Sequence, residues 1–216
     1  CLAPVAHHRC SPRPPDPASP RCRKRVGPRR KSLPRKRQCH SGLAPLLEAF
    51  HAVRQERPAA LLVIGEVRPR DQALLASFAA EHPEDRTRLI VTGHLNDSQE
   101  VARHLCLCDH FLQPSLWDGL PNAVLEAMAC ERIVIASDAG GLPEVIDHGV
   151  NGFLVPRTQL PRLGEAILEL LALDEARRGT IGHAARKRIQ EAFSAEREAA
   201  QLQQALAHLW PASGTS

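Results

Sequence analysis

From position 42 onward the apolar residues fall into blocks with two different periods. Leu43, Leu46, Leu47, Phe50 and Val53 recur at helical spacing and predict an amphipathic helix. The run AALLVIG over 59–65 is continuously apolar, ends in glycine and reads as a buried strand. A helix over about 72–80 and a second strand over 88–93 (RLIVTG) follow. Asp97 or Ser98 is placed to cap a helix reaching about Cys108, because a short oxygen-bearing side chain there can accept from the free N–H groups of the first turn. Three more strands are predicted over 110–113, 132–136 and 152–155, with helices over 121–130 and from Pro143 between them. Beyond Pro161 the pattern stays helical to about Leu209, with breaks near Asp174 and Phe193. Strands that alternate with helices argue for a parallel sheet covered by helices on both faces, a Rossmann-like α/β architecture. Ligands of such sheets bind beyond the carboxyl ends of the strands. Gly65, Gly93, Ser115 to Asn122 and Asp138 to Leu142 all fall at those ends.

Residues 1–40 break this pattern. They hold eight prolines, twelve Lys or Arg and one acid, Asp16, and almost no periodic apolar signal. The expectation is a disordered basic segment over 1–40, a folded domain over 41–210 and a short tail over 211–216. The charge follows the same division. The net charge of +4 is the sum of +11 in residues 1–40 and −7 in residues 41–216, so the folded part is acidic. Charge alone would let RCRKRVGPRRKSLPRKR meet nucleic acid, but no aromatic residue is interleaved to stack on bases, and nucleic acid is not an expected partner. The chain has 24 Arg against four Lys, and this Pro/Arg-rich stretch also reads as out-of-frame translation upstream of Ser41. It begins with Cys rather than Met, which suggests a fragment.

Seven cysteines are present without a CxxC pair. Cys106, Cys108 and Cys130 read as small buried apolar residues of a reducing compartment. No run of about twenty apolar residues exists to span a membrane. A cytoplasmic location is expected, with a peripheral place at the inner membrane face as its variant.

The chemistry concentrates in PSLWDGLPNAVLEAMACERIVIASDAGGLPEVIDHGVNGFLVP, residues 114–155 with the closing Pro156. Asp118 and Glu126 are separated by seven residues, and Gly119 to Asn122 form a turn that opens a helix. Pro121 suits the first helical position, where its missing N–H is no loss. Asn122 and Glu126 then share one face, while Val124, Ala127 and Met128 share another that suits burial. The unpaired N–H groups of such a helix start attract phosphate. A carboxylate one turn further in can accept hydrogen bonds from sugar hydroxyls.

This segment resembles the donor-binding motif of retaining glycosyltransferases with the GT-B fold, the family that includes sucrose-phosphate and glycogen synthases. The family pattern, Glu-Gly-hydrophobic-Pro/Gly-x-x-x-hydrophobic-Glu-Ala-Met/Leu-Ala, reads here D-G-L-P-N-A-V-L-E-A-M-A, and the similarity runs from about Gly42 to about Leu209. The resemblance implies the C-terminal half of a GT-B fold, a nucleotide-diphosphate sugar as co-substrate, and no other cofactor. Glu126 would accept hydrogen bonds from the nucleotide ribose. Asp118 matches the family's first acid, near the donor sugar or its leaving phosphate, and is one methylene shorter than the usual Glu; capping of the helix start is its competing role. Asp118 and Glu126 are thus the candidate catalytic residues. The turn Gly119, Leu120, Pro121 and Asn122, with Ser115 beside it, would meet the diphosphate through such backbone N–H groups as it has free. Gly93 and His94 match the loop that brackets the base, although for His94 an exposed loop histidine is a stronger reading than a catalytic base. Trp117 is placed to wall the pocket or to pack. No Asp-x-Asp occurs, so metal independence is expected.

Two departures stand out. The lysine that the family places before the first glycine is Ser41 here, and no Arg of residues 1–40 stands in the corresponding loop. The strand that should flank residues 59–65 and the N-terminal acceptor half are also missing. The resemblance therefore implies a separate N-terminal GT-B half as partner, with a non-catalytic nucleotide-sugar-binding remnant or a basic-tailed nucleic-acid-interacting protein as alternatives.

Overall fold

In the computed structural model the described residues are 42–209. The basic segment, the frame change and the C-terminal tail lie outside them.

Helix α1, Leu43–Glu56, forms where the apolar spacing predicts and buries Leu46, Leu47, Phe50 and Val53. Strand β1, Leu61–Val63, is followed by α2, Pro69–Glu81, and β2, Leu89–Val91. Both strands are shorter than the apolar runs that announced them. A 3-10 turn, Arg86–Arg88, takes up the start of the second run. Helix α3, Ser98–Cys106, begins where the Asp97 carboxylate accepts from the Gln99 N–H at 2.9 Å. Then come β3, His110–Gln113, α4, Asn122–Ala129, β4, Ile133–Ser137, the short α5, Leu142–Val145, and β5, Phe153–Val155. Three helices finish the domain: α6, Leu163–Leu171, α7, Glu175–Ala192, and α8, Ala195–Leu209. Asp174 caps α7 by accepting from the Arg177 N–H at 2.7 Å. Among the described residues no helix is long and apolar enough to cross a membrane.

All strand pairs are parallel, but the strands fall into two sheets, β1–β2 and β3–β4–β5, where the sequence predicted one. Alternate residues of each strand still point to two shared faces. Leu61 and Val63 of β1, Leu112 of β3 and Ile135 of β4 join one core with α1 and α6. Ile64, Phe111, Val134 and Ala136 join the other with α4 and α7. Because both sheets contribute to the same two cores, they share one layer between two sets of helices. The layer is interrupted between β1 and β3, where, among the described residues, Leu61, Leu62, His110 and Leu112 line a cavity of about 670 Å³.

Cys106 departs from the sequence reading: it is exposed, and Cys130 is partly exposed. The two thiols lie close enough to interact, and burial pushes the Cys130 thiol up from its ordinary value.

Candidate functional site

The carboxyl ends of β3 and β4 carry the loops in which the candidate residues lie. Asp118 is tied down at both oxygens. Its Oδ2 accepts from Ser115 Oγ at 3.0 Å and from Gln113 Nε2 at 3.3 Å, and its Oδ1 accepts from the Gly119 N–H at 2.9 Å. Gln113 Nε2 also donates to Ser115 Oγ at 2.8 Å, and the buried Ser137 hydroxyl at the end of β4 donates to the Ser115 carbonyl. The carboxylate therefore acts first as a clasp that folds residues 113–119 into one loop. A capping contact to α4 is not among its bonds.

Three glycines let backbone approach this loop. A Cβ on Gly42 would lie 1.7 Å from the Pro114 carbonyl oxygen. One on Gly140, whose φ is +56°, would lie 1.9 Å from the Asp118 carbonyl oxygen. Beside it the Gly141 N–H donates to the Gly119 carbonyl at 2.8 Å. The β4–α5 turn and the start of α1 thus hold the loop from two sides, and no side chain fits between them.

Pro121 is the N-cap of α4 rather than its first helical residue, with ψ at 125°. The preference of proline for an extended ψ at the residue that precedes it does not decide this; Pro121 itself stays extended and the helix starts one residue later. The Gly119 N–H is already given to Asp118, and Pro121 has none. Among the described residues the N–H groups of this turn without a partner are therefore those of Leu120, Asn122 and Ala123, so Gly119 and Pro121 drop out of the set the sequence suggested and Ala123 joins it. Asn122 and Glu126 are exposed on one face of α4, while Val124, Ala127 and Met128 are fully buried on the other, as the spacing predicted. Although the Glu126 side chain reaches solvent, neighbouring protein partly desolvates its carboxyl group and raises its pKa from the ordinary value.

Gly93 and His94 follow β2. Gly93 has φ +74°, forms a bridge with Gly65, and accepts at its carbonyl from Thr92 Oγ1 at 2.9 Å. His94 is exposed, and Leu95 packs against the same core as Val124 and Ala127, which brings this loop alongside α4. Trp117 is 81% exposed, which overturns the packing reading and leaves it on the lip of the loop.

Gln113 is the residue that sequence reading missed. It is almost fully buried, and its Oε1 has no partner among the described residues. Its polarity directly after the apolar pair Phe111–Leu112, at the carboxyl end of the strand, was the available signal. An orphaned acceptor beside Asp118 is set to receive a hydroxyl or amide proton. His51, His82 and Glu84 are grouped tightly enough to ligate a metal, at the α1–α2 side of the domain, and His51 Nδ1 is engaged at 2.7 Å with the buried Asp85.

The fold has counterparts of known structure and name. The chain is 31% identical over 175 residues to the amylovoran biosynthesis glycosyltransferase AmsK of Erwinia amylovora, a match that covers 77% of this chain and 42% of AmsK. It superposes on the C-terminal domain of the glycosyl transferase group 1 protein LpcC of Francisella tularensis with a TM-score of 0.65 at 25% identity, covering 72% of this chain and 81% of that one. HepE of Anabaena, solved with UDP-glucose, gives a TM-score of 0.69 at 22% identity and covers 78% of this chain and 46% of that one, a likeness of fold. The chain thus spans less than half the length of AmsK. Residues 36–173, more than half of the chain, match the family described as glycosyl transferases group 1, and the chain belongs to that family.

Proposed function

We propose that this domain binds a nucleotide-diphosphate sugar and supplies the donor half of a retaining, metal-independent glycosyl transfer, with the acceptor held by a separate N-terminal half. The observation that carries the reading is the convergence of the clasped 113–119 loop, the open start of α4 and the exposed Glu126 at the carboxyl ends of β3 and β4. The N–H groups of Leu120, Asn122 and Ala123 would face the diphosphate, where negative charge grows as the nucleotide leaves; dipoles already in place stabilise that charge without reorganising. Glu126 would accept from the ribose hydroxyls, Gln113 Oε1 from a donor-sugar hydroxyl, and Gly93 with His94 would flank the base. The UDP-glucose held by HepE on the same fold supports this class of ligand.

A second reading, binding without turnover, is favoured by one observation. Both oxygens of Asp118 are already engaged within the loop, which leaves little of that carboxylate for the reacting sugar.

Calorimetric titration of the full chain with UDP-, GDP- and ADP-glucose tests the donor site. Saturable binding of one of them, weakened at least about tenfold in Glu126→Ala, is expected from the loss of a charge-assisted hydrogen bond. A folded chain that binds none of the three defeats the proposal. The pH dependence sharpens it. Glu126 must be charged to accept from two hydroxyls, and burial raises its pKa, so affinity falls with acidification earlier than an ordinary glutamate would cause. Glu126→Gln should abolish that acid limb.

A further inference from the structure

A polar cluster on the α1–α2 side stands apart from the loops above, and the donor-site reading does not use it. His51, Arg54 and Gln55 lie at i, i+3 and i+4 on α1 and share one face. After α2 the chain reads His-Pro-Glu-Asp over 82–85 and closes a turn, in which the Asp85 N–H donates to the His82 carbonyl at 3.1 Å. Pro83 takes the second place of that turn, where its fixed φ is already right. The turn brings three side chains to the α1 face. The His82 ring packs on His51 with centroids 3.8 Å apart and lies 4.9 Å from the ring of the buried Phe78. Glu84 Oε1 stands 3.8 Å from His82 Nδ1 and 4.0 Å from His51 Nδ1. Asp85, with its side chain 1% exposed, stands 2.7 Å from His51 Nδ1. The Gln55 amide nitrogen lies 3.4 Å from His51 Nε2. A carboxylate accepts and an amide NH2 donates, so Nδ1 carries the proton and Nε2 presents its lone pair. Arg54 Nε takes the other Asp85 oxygen at 2.9 Å.

We propose that His51, His82 and Glu84 bind a zinc ion, with Asp85 as the positioning residue of His51. One ring nitrogen of each histidine and one Glu84 oxygen lie within 4.8 Å of one another. Zinc bonds of about 2.1 Å in a tetrahedron set ligand atoms roughly 3.4 Å apart, so the three close by about 1.4 Å at most. Glu84, 54% exposed, makes that movement by turning its side chain, and solvent reaches the ion as a fourth ligand. A carboxylate that holds the far N–H of a ligating histidine fixes the ring and raises the basicity of the coordinating nitrogen, which is the relation of Asp85 to His51. Two imidazoles and one carboxylate suit zinc, whereas magnesium and calcium take oxygen ligands. The turn over 82–85 leads through Arg86–Arg88 into the amino end of β2, while the donor-site loops leave the carboxyl ends of β3 and β4. The ion is therefore structural: it braces the connection from α2 to β2 against α1 and takes no part in the transfer proposed above.

The test uses the full chain, stripped with a chelator and free of nucleotide, so that its outcome is separate from that of donor binding. Zinc chloride is titrated in competition with a chromophoric chelator, and the histidine ring nitrogens are followed by NMR. Saturable binding that moves the signals of His51 and His82 is expected, with a thermal unfolding midpoint several degrees higher at saturating zinc. His82→Ala and Glu84→Gln should each remove one zinc equivalent and the rise in midpoint; Glu84 is exposed, so Glu84→Gln stands even where His82→Ala misfolds. Asp85→Asn should weaken binding about tenfold to a hundredfold. In the zinc-free chain it should also move the His51 ring signals away from the pure Nδ1–H tautomer. Magnesium chloride should move neither histidine. Zinc held by other residues of the chain is untouched by these substitutions, so an unchanged stoichiometry in both ligand variants would overturn the proposal. So would still signals of His51 and His82, or magnesium binding as tightly as zinc.

Discussion

The two halves of the strand layer are built from similar residues and end in different states. In the three-stranded half, β4 reads IVIAS and every one of its residues is buried, with β3 and β5 on its edges and α4 and α7 on one face. In the two-stranded half, β2 reads LIV, an equally apolar run, yet Ile90 is 50% and Val91 43% exposed. Apolarity did not decide burial here. The number of neighbouring strands and helices did, because a strand with one partner keeps one edge and part of one face in water. The site chemistry divides along the same line. The 113–119 loop is held by a saturated carboxylate and by glycine-mediated backbone contacts from two sides, whereas Gly93 and His94 hang from the less covered half.

The contrast is sharpest for Phe111, which is wholly buried in the three-stranded half. Phe111→Ala should cost about 4 kcal/mol through lost apolar contact and a cavity that neighbours cannot fill, measured by urea unfolding. A cost near that of an exposed residue would show that the two halves are equally loose. Gly140→Ala comes next. Its left-handed φ and the 1.9 Å approach to the Asp118 carbonyl oxygen predict about 3 kcal/mol of destabilisation, with donor affinity reduced because the loop must move. Unchanged stability would mean that the loop is not clamped as described.

Asp85 tests the α1–α2 side. Burial alone would raise its pKa, but hydrogen bonds from His51 and Arg54 outweigh this and hold the carboxyl below its usual range. A depressed pKa gives stability that is present above the unfolded value, near 3.9, and lost as the pH falls through the folded one. Asp85→Asn should therefore cost about 2 kcal/mol at pH 7 and progressively less below about pH 4, by urea titrations across that range. A gap that stays constant with pH would remove the ion pair as the cause. The smallest effect belongs to the open face: Val91→Thr should change stability by less than about 0.5 kcal/mol, since the side chain is already in water. A larger loss would show that β2 is covered in solution.

Much of this was readable from the chain alone. The period-3.6 spacing of Leu43 to Val53 gave α1, Asp97 and Asp174 marked the starts of α3 and α7, and the ordered D-G-L-P-N-A-V-L-E-A-M-A run gave the family. Other features were invisible because they depend on residues distant in sequence. Gln113 looked like an ordinary polar residue until burial removed its water. Gly119 looked like a phosphate-facing amide until the neighbouring carboxylate took its N–H.

Sequence by itself determined which segments are helix and strand, which face of each is apolar, and where strand ends gather the polar residues, because these follow from local periodicity and from the backbone freedom of glycine and proline. Tertiary structure alone decided that Asp118 is a clasp, that Gly140 must lack a Cβ, and that the strand layer is interrupted between β1 and β3. Those are outcomes of which backbones come within a few ångströms of each other, and no local pattern in the chain encodes that distance.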